Sequence, residues 1–576
     1  MLDVLIRGGT VIDGTGAPGR RADVGVRDGV IVAIDEPGSV TESATTTVDA
    51  PDLVVAPGFV DLHTHYDAQL LWDPSASPSP LHGVTTVLGG NCGFTLAPAA
   101  PSDVGYLARL MSRVEGIPLA ALEAGVSWDW RSFGEYLDRL DGGGVAVNAG
   151  FLAGHSTLRR VVMGADAVGE AASDAQIAAM EELLDDCLAA GALGLSTSQA
   201  PTHNDGDGSP VPSRAATRDE LMRLAACLAE HDGTQLELII AGCINGFTAE
   251  DVDLMASMAL AAGRPLNWNV LPVITGGNHD HQLDASTQAA ERGATVVALT
   301  LPQGTRIRLS FLSGFVLDGL PGWRETFALD VPERLAALTD PHVRRRLAEG
   351  ARSPDAGLLR NLARWDRFEV CETFSDENRG LDGRTIGEIA RERDAEPFDV
   401  LCDVVVADGL RTGLSPTMPP ESDETWIERA RVWTDNRTIV GGSDAGAHLD
   451  MMCGASYTTF LIGEAVRDRQ LLPLETAVRE LTDAPARLYG LTGRGRIAPG
   501  YHADVVVFDP TRVRPGRERT RADLPGDASR IVADAEGIEH VFVNGTEIVR
   551  AGTFTGATPG VVLRSGRDTA TVAPTR

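Results

Sequence analysis

The segment Ala56–His65 reads Ala-Pro-Gly-Phe-Val-Asp-Leu-His-Thr-His, and it determines the fold and the chemistry predicted for this chain. It continues an apolar, β-branched run that begins at Val54, and apolar and polar residues then alternate from Val60, the period-2 pattern of a β-strand. Because side chains at i and i+2 share one strand face, His63 and His65 should project together. We therefore favour half of a transition-metal site over a pair of surface histidines.

Composition limits the class of protein. At 576 residues, with 43% hydrophobic and 23% charged residues, the chain is expected to fold into more than one structural unit. A formal net charge of −31 argues against nucleic acid and against an anionic membrane as partners. The first residues lack the basic and apolar regions of a signal peptide, and no run reaches transmembrane length. Seven scattered cysteines fit a reducing cytoplasm.

The chain contains no lysine, so all 50 basic residues are arginine. Lysine is the residue that forms Schiff bases, binds phosphates in P-loops and, when carboxylated, bridges two metal ions. Mechanisms that depend on any of these three are therefore excluded.

Both ends of the chain are rich in short strands. Asp28-Gly29 and Asn544-Gly545 each separate two β-branched runs, which is a strong hairpin signal. The strands before residue 56 are too few to form a core alone, so we expect them to pair with those after residue 500. The predicted domains are 1–56 and 494–576, which form one small β-sandwich domain, and 57–493 between them.

Strand-like and helix-like segments alternate in the central part. Ser173, Thr217 and Thr248 each begin a helix by their capping pattern, and apolar strand-like runs lie between the helices. Eight strands in such an alternation predict an α/β fold, a (β/α)₈ TIM barrel. The alternation is lost at about 301–430, which we interpret as an insertion containing two tryptophans, with a lid over the site as one interpretation.

Active sites of such barrels lie where the strands end. The polar residues at these positions are His63, His65, Cys92, His155 and Asp444. A carboxylate opposite two histidines can bind a metal and accept a proton from metal-bound water. Each of the last three has a plainer alternative: a small buried apolar residue for the cysteine, a supporting histidine, and a helix N-cap for the aspartate.

These motifs together resemble the amidohydrolase superfamily. Within it, Thr85–Gly93, Gly154–Arg159 and Gly191–Ser196 resemble the N-acyl-D-amino-acid deacylase (D-aminoacylase) branch, and the similarity covers nearly the whole chain. The resemblance implies a metal-dependent hydrolase of amide bonds, usually with zinc. It also implies that His63, His65, Cys92 and Asp444 are ligands, that Asp444 is the general base, and that Cys92 replaces a carboxylated lysine.

The sequence departs from this family at two strand ends. The family usually has a histidine at the end of strand 5 and another at the end of strand 6, and this chain has none in either strand. Glu237 or Asn269 could substitute weakly, or His203 could move in from the loop after strand 4. We therefore expect one or two Zn²⁺ ions, and the ligands of the second stay open.

An anionic substrate would need a cation in this acidic protein. His155, His203 and Arg214 are the predicted substrate-binding residues, and Arg306 and Arg308 are further candidates. For each arginine, a surface or structural role is the plainer alternative.

The predicted function is hydrolysis of a linear amide, an N-acyl amino acid or a related N-acyl compound, by metal-activated water. A cyclic amidase of the hydantoinase or dihydroorotase type is a competing hypothesis, which the absence of lysine disfavours. A non-catalytic scaffold that kept the barrel is another, and the four retained ligand candidates disfavour it. The expected partner is a small-molecule amide in the cytoplasm. The sequence leaves the acyl group, the stereochemistry and the choice between monomer and homo-oligomer open.

Overall fold

An eight-stranded parallel barrel forms the centre of the chain in the computed structural model, which describes residues 1–304, 307–314, 316–417 and 421–574, without the side chains of 244, 245 and 358. Each barrel strand pairs in parallel with the next. The strands are Phe59–Asp61, Val84–Gly89, Asn148–Phe151 with Ala153–Gly154, Gly194–Ser198, Gln235–Ile239, Leu266–Leu271, Val296–Thr300 and Thr438–Val440. The predicted fold class is confirmed.

The barrel closes just beyond the ends of its first and eighth strands. The amide of Asp444 donates to the carbonyl of His63 at 3.0 Å, and the amide of His65 donates to the carbonyl of Ala445 at 2.8 Å. A parallel bridge between Thr64 and Ala445 lies between these two bonds. Closure therefore places the residues after strand 1 directly beside those after strand 8.

The first strand is shorter than the sequence predicted, since it ends at Asp61 rather than at His65. The chain from Leu62 onward keeps bonding to its neighbours, but to both sides at once: Thr64 donates to the carbonyl of Leu88, and His65 donates to that of Ala445. Because the backbone bonds alternately to strand 2 and to the residues after strand 8, it does not form a regular β-ladder with either. The histidines therefore lie in the loop that follows the strand.

A nine-stranded sheet joins the two ends of the chain and forms the β-domain expected from both termini. Val54–Pro57 lies between Leu2–Val11 and the C-terminal Val505–Phe508, which pairs antiparallel with it. The remaining strands of this sheet are Arg20–Arg27, Val30–Asp35, Ala44–Asp49, Ile538–Val543, Thr546–Arg550 and Thr553–Phe554. The strand that leads into the barrel is therefore held at the centre of this sheet.

Helix starts follow their capping residues. Ser173 and Thr248 form reciprocal capping boxes, and Thr217 accepts the amide of Glu220, as the sequence predicted. The α-helices of the described residues are Val104–Val114, Leu119–Gly125, Phe133–Gly143, His155–Met163, Asp174–Ala189, Arg218–Cys227, Gly242–Asn245, Ala249–Ala262, His279–Glu291, Arg324–Phe327, Val331–Thr339, Pro341–Arg352, Ile386–Arg393, Pro397–Ala407, Asp423–Trp433, Tyr457–Phe460, Leu474–Leu481 and Asp483–Leu488. Within the described residues, none of them is both long and apolar enough to cross a membrane.

The segment between the seventh and eighth strands has a hydrophobic core of its own. Trp323 and Trp365 stack in this core with ring centroids 5.6 Å apart, and both are buried. A two-stranded antiparallel sheet, Phe368–Glu372 with Gly413–Pro416, packs beside them. The tryptophans therefore stabilise the insertion itself.

Asp504 connects the β-domain to the barrel. Its carboxylate is buried, pairs with Arg494, and accepts the side-chain amide of Asn148 at 3.1 Å and the backbone amide of Asn544 at 2.9 Å. Its carbonyl accepts the amide of Gly58 at 2.9 Å. One residue thus joins a barrel strand, a hairpin turn and the start of the first barrel strand.

Replacement of Asp504 by alanine is expected to lower the free energy of unfolding by about 3–5 kcal/mol, because Arg494 would stay buried without its counter-charge. Urea unfolding of both proteins measures the difference. The control is Asp376→Ala, which removes the exposed partner of Arg379 and should change little. Equal stability of the two variants would contradict the role given to Asp504.

Candidate metal centre

His63 and His65 lie together at the mouth of the barrel. Their ring centroids are 5.2 Å apart with an interplanar angle of 71°, and each side chain is only 1% exposed. The two histidines do not share a strand face as predicted, because the strand ends before them. The backbone bonds of this loop to Leu88 and Ala445 nevertheless bring the two rings together. The Nδ1 atoms of both histidines are buried without a hydrogen-bond partner among the described residues. Their Nε2 atoms face the other polar groups of the site.

Cys92 follows the second barrel strand in a left-handed turn, with φ of +57°. Glycine is required two residues earlier, since a Cβ at Gly90 would lie 2.2 Å from the carbonyl oxygen of Leu152. The amide of Cys92 donates to Glu237 Oε2 at 3.0 Å, and its Sγ lies 3.5 Å from His63 Nε2. The tight turn therefore directs the sulfur to the imidazole of His63, in the loop that follows strand 1.

Asp444 approaches the same two histidines from strand 8. Its Oδ1 lies 3.1 Å from His65 Nε2 and 3.4 Å from His63 Nε2. It also adopts a left-handed conformation, with φ of +60°, which is uncommon outside glycine but is adopted more often by Asp, Asn and His than by other residues. The side chain is 30% exposed, whereas the two histidines are closed off from solvent. Asp444 is thus the ligand candidate that reaches both the cluster and the solvent.

Three separations in this cluster are close to those between ligand atoms on one zinc ion. Two ligand atoms bound to zinc at about 2.0–2.1 Å lie roughly 3.4 Å apart, and a nitrogen–sulfur pair is slightly wider. The observed separations are 3.1 and 3.4 Å from Asp444 to the imidazoles and 3.5 Å from His63 to Cys92. The donor atoms of His63, His65 and Cys92 all lie within 4.8 Å of one another. Imidazole, thiolate and carboxylate are all zinc ligands, so the residues fit this ion.

Buried carboxyl groups surround the cluster. Burial raises the pKa of Asp61, of Asp67 and of Glu237 to about 7, and burial together with the nearby Asp444 raises the pKa of Glu115 well above its usual value. Burial also opposes the charge of Asp444, but hydrogen bonds with His63 and His65 outweigh it and hold its pKa well below the usual range. So many buried carboxyl groups favour a cation between them.

The thiol of Cys92 would lose its proton only if such a cation were bound beside it. Burial raises the pKa of Cys92 well above its ordinary value, and the carboxylates of Glu237, Glu115 and Asp444 raise it further. A bound divalent cation reverses this balance, since a coordinating thiol loses its proton. Cys92 can therefore act as a thiolate only together with a metal ion.

His155 lies in a buried hydrogen-bond network with Thr197 and Glu220. Its Nδ1 lies 2.8 Å from Thr197 Oγ1 and its Nε2 lies 2.8 Å from Glu220 Oε1. Glu220 also pairs with Arg159, and all three charged or titratable side chains are fully buried. Both ring nitrogens are thus engaged, which leaves neither for a substrate.

His203 and Arg214 lie on neighbouring parts of one loop. His203 Nδ1 lies 2.8 Å from Ser198 Oγ, and within the described ranges its Nε2 has no hydrogen-bond partner. Burial lowers the pKa of His203 to about 4, although the nearby carboxylate of Asp444 acts in the opposite direction. Arg214 donates to the carbonyl oxygens of Pro201 and His203, both at 3.3 Å. Arg214 therefore holds the loop that carries His203.

The two further arginines that the sequence suggested, Arg306 and Arg308, are not described as part of this cluster. Arg306 lies outside the residues that the structure describes. Arg308 is buried and donates to Glu372 at 2.6 Å and to Thr520 at 2.7 Å. It lines a separate cavity of about 950 Å³ between the insertion and the C-terminal segment, together with Arg517.

The ends of strands 5 and 6 contribute Glu237 and Asn269. Glu237 accepts the amide of Cys92, and its Oε1 is buried without a partner in the described part of the chain. Asn269 Nδ2 lies 3.4 Å from His63 Nε2 and 3.7 Å from Cys92 Sγ. Both strand ends therefore reach the cluster, although neither supplies a histidine.

Three residues at the site were missed by the sequence reasoning. Glu115 Oε2 lies 3.4 Å from His65 Nε2, and His448 Nε2 lies 3.6 Å from Asp444 Oδ2. Ser443 donates to Asp61 at 2.5 Å beneath the cluster. His448, four residues after Asp444, could have been found from its spacing. Glu115 is the residue directly after the helix Val104–Val114, in the short connection to the next helix, where no periodic pattern marks it.

Comparison with known proteins places this geometry in a wider context. The profile of the amidohydrolase family matches residues 46–549. A D-aminoacylase of Alcaligenes xylosoxydans xylosoxydans is 32% identical over 564 residues, covering 97% of each chain. A solved D-aminoacylase with a binuclear metal centre shares 28% identity at a TM-score of 0.63 and covers 98% of this chain and 100% of its own. The N-acyl-D-glutamate deacylase of Bordetella bronchiseptica, solved with zinc and a phosphonate inhibitor, shares 27% identity at a TM-score of 0.63 with the same coverage.

Replacement of Glu220 by glutamine should destabilise the fold without changing the metal content. The change leaves Arg159 buried without its counter-charge, which costs about 3–5 kcal/mol of folding free energy. Chemical unfolding and metal analysis of the purified variant measure the two effects. In the control, Glu181→Gln, only a half-exposed pair with Arg223 is lost, and little should change. Loss of metal from the Glu220 variant at unchanged stability would instead connect His155 to the metal centre.

Proposed function

This chain belongs to the amidohydrolase family, and we propose that it hydrolyses the amide bond of an N-acyl amino acid at the cluster of His63, His65, Cys92 and Asp444. The observation that carries the proposal is the position of Asp444. One of its carboxylate oxygens lies within 3.4 Å of both imidazoles, while the side chain is open to solvent. A group in this position can hold a metal ion and exchange a proton with a reacting molecule.

The proposed ligands of zinc are His63, His65, Cys92 and Asp444. When bound, zinc supplies a Lewis acid that polarises a carbonyl and makes a nearby water acidic at neutral pH. The imidazoles would supply nitrogen donors, since His63 Nε2 lies beside Cys92 Sγ and both Nε2 atoms lie beside Asp444 Oδ1. Glu237 supports Cys92 by accepting its backbone amide, which fixes the turn that directs the sulfur inward.

Asp444 is proposed as the general base. Its pKa is held low by the two imidazoles, so the carboxylate is ionised at neutral pH and can accept a proton from the attacking water. Its Oδ1 faces the imidazoles, whereas Oδ2 faces His448 at 3.6 Å. The proton then passes from Asp444 to the leaving nitrogen as the carbon–nitrogen bond breaks. The products are a carboxylic acid and a free amine.

The substrate class is proposed from the similar proteins. The relatives and solved structures are named as D-aminoacylase and N-acyl-D-glutamate deacylase, so an N-acyl-D-amino acid is the proposed substrate. His203 is the proposed contact for the polar groups of the substrate. Its Nε2 has no hydrogen-bond partner within the described chain, and the nearby carboxylate of Asp444 acts to raise its pKa. Arg214 is proposed to position His203 through the backbone of the loop.

We also propose that the protein works in the cytoplasm. None of its seven cysteines forms a disulfide bond, which agrees with a reducing compartment. The net charge of −31 supports a small-molecule partner rather than nucleic acid.

Asp444→Asn should leave the fold intact and lower turnover by roughly two to four orders of magnitude, the usual contribution of a positioned general base. Asparagine tolerates the left-handed backbone at this position, so stability should change little. Hydrolysis is measured on N-acetyl-D- and N-acetyl-L-amino acids, together with the melting temperature. The control is Asp450→Asn, the same charge change six residues along the same loop, which should retain activity. Near-normal hydrolysis by Asp444→Asn would refute the mechanism.

A further inference from the structure

Two of the four proposed zinc ligands have a backbone conformation that residues with a side chain rarely adopt. Cys92 and Asp444 are left-handed, with φ of +57° and +60°. This conformation brings Cβ close to a neighbouring carbonyl oxygen, so it persists only where surrounding contacts hold it. Because the direction of a ligand atom depends on the backbone that carries it, the contacts that hold these two turns also set the geometry of the candidate site.

A buried serine holds the turn at Cys92. Ser196 lies in the fourth barrel strand and is fully buried. Its hydroxyl donates to the carbonyl of Gly90 and accepts the amide of Gly93 at 2.9 Å. Cys92 lies between these two glycines in the chain, and its own amide donates to Glu237 at 3.0 Å. One hydroxyl therefore ties the turn to strand 4 on both sides of the cysteine.

A second buried serine holds the turn at Asp444 in the same manner. Ser443 donates to Asp61 Oδ2 at 2.5 Å and accepts the amide of Ala445 at 2.9 Å. The amide of Asp444 itself donates to the carbonyl of His63 at 3.0 Å. In both turns, the amide of the residue after the ligand thus donates to a buried serine hydroxyl, and that hydroxyl donates to an oxygen that the fold holds in place.

We propose that Ser196 and Ser443 are positioning residues, which hold Cys92 and Asp444 in their left-handed turns before a metal ion binds. This inference rests on the zinc ligands of the proposed function and adds what orients two of them. Without the hydroxyl, a buried amide would lose its partner and the turn would be free to relax, which would turn the ligand atom away. Zinc binding would then have to order the turn as well, so the affinity for zinc should fall.

The test compares Ser196→Ala and Ser443→Ala with the unchanged protein. The matched control is Ser156→Ala, since Ser156 is also fully buried, accepts the amide of Ser213 at 3.2 Å and donates to its hydroxyl at 2.8 Å, while neither residue flanks a proposed ligand. The Kd of zinc is measured by competition with a chromophoric chelator, without substrate. The cobalt-loaded proteins are compared by the absorption band of a cobalt–thiolate bond, and melting temperatures of the metal-free proteins report on folding.

The proposal predicts a zinc Kd at least about tenfold higher in Ser196→Ala and in Ser443→Ala, the usual effect of losing a group that orients a metal ligand, and an unchanged Kd in Ser156→Ala. The cobalt–thiolate band should weaken in Ser196→Ala alone, because only that serine holds the cysteine. An unchanged zinc Kd in either of the first two variants, or an equal rise in the control, would overturn the proposal.

Hydrogen exchange, followed by mass spectrometry, tests the proposal without relying on metal affinity, and it decides the matter if a variant does not fold. The segments around Gly93 and Ala445 should exchange as slowly in the metal-free unchanged protein as in the presence of zinc, and each should exchange faster in its own serine variant. Faster exchange of either segment in the unchanged protein when zinc is removed would overturn the proposal. Absence of zinc binding or of hydrolysis in the unchanged protein would instead refute the proposed function, so the two failures are distinguishable.

Discussion

The closure of the barrel is the constraint on which the candidate site depends. The same short segments that join strand 1 to strand 8, through the bonds between His63 and Asp444 and between His65 and Ala445, also carry three of the four proposed ligands. These backbone hydrogen bonds therefore fix the positions of the three residues relative to one another. Any change that broke the hydrogen bonds between the residues after strand 1 and those after strand 8 would separate the imidazoles from the carboxylate of Asp444. Closure of the barrel and assembly of the site therefore depend on the same bonds.

Charge explains why this position suits a cation. Carboxyl groups buried around the cluster have raised pKa values because they are desolvated, and the thiol of Cys92 is held in its protonated form by the same surroundings. Asp444 alone keeps a low pKa, through its two imidazole partners. A divalent cation would compensate the buried negative charge and release the thiol proton at the same time.

The sequence predicted those parts that have a local or periodic signal. The strand pattern before His63, the helix caps and the turn at Cys92 are local signals. The structure places His63 beside both Cys92 and Asp444. Glu115 could not be predicted, because its position depends on how a helix end packs against a loop more than three hundred residues later. His155 lies at a strand end as expected, yet long-range pairing with Glu220 engages it. The domain boundaries near 56 and 493 stay predictions.

X-ray absorption at the zinc edge of the purified protein tests the central claim most directly, since it reports the ligand atoms themselves. The account predicts a shell with one sulfur at about 2.3 Å and nitrogen or oxygen atoms at about 2.0–2.2 Å, because Cys92 would be the sulfur donor beside the imidazoles and Asp444. The sulfur contribution should disappear in Cys92→Ser. A zinc shell made only of nitrogen and oxygen in the unchanged protein would contradict the account.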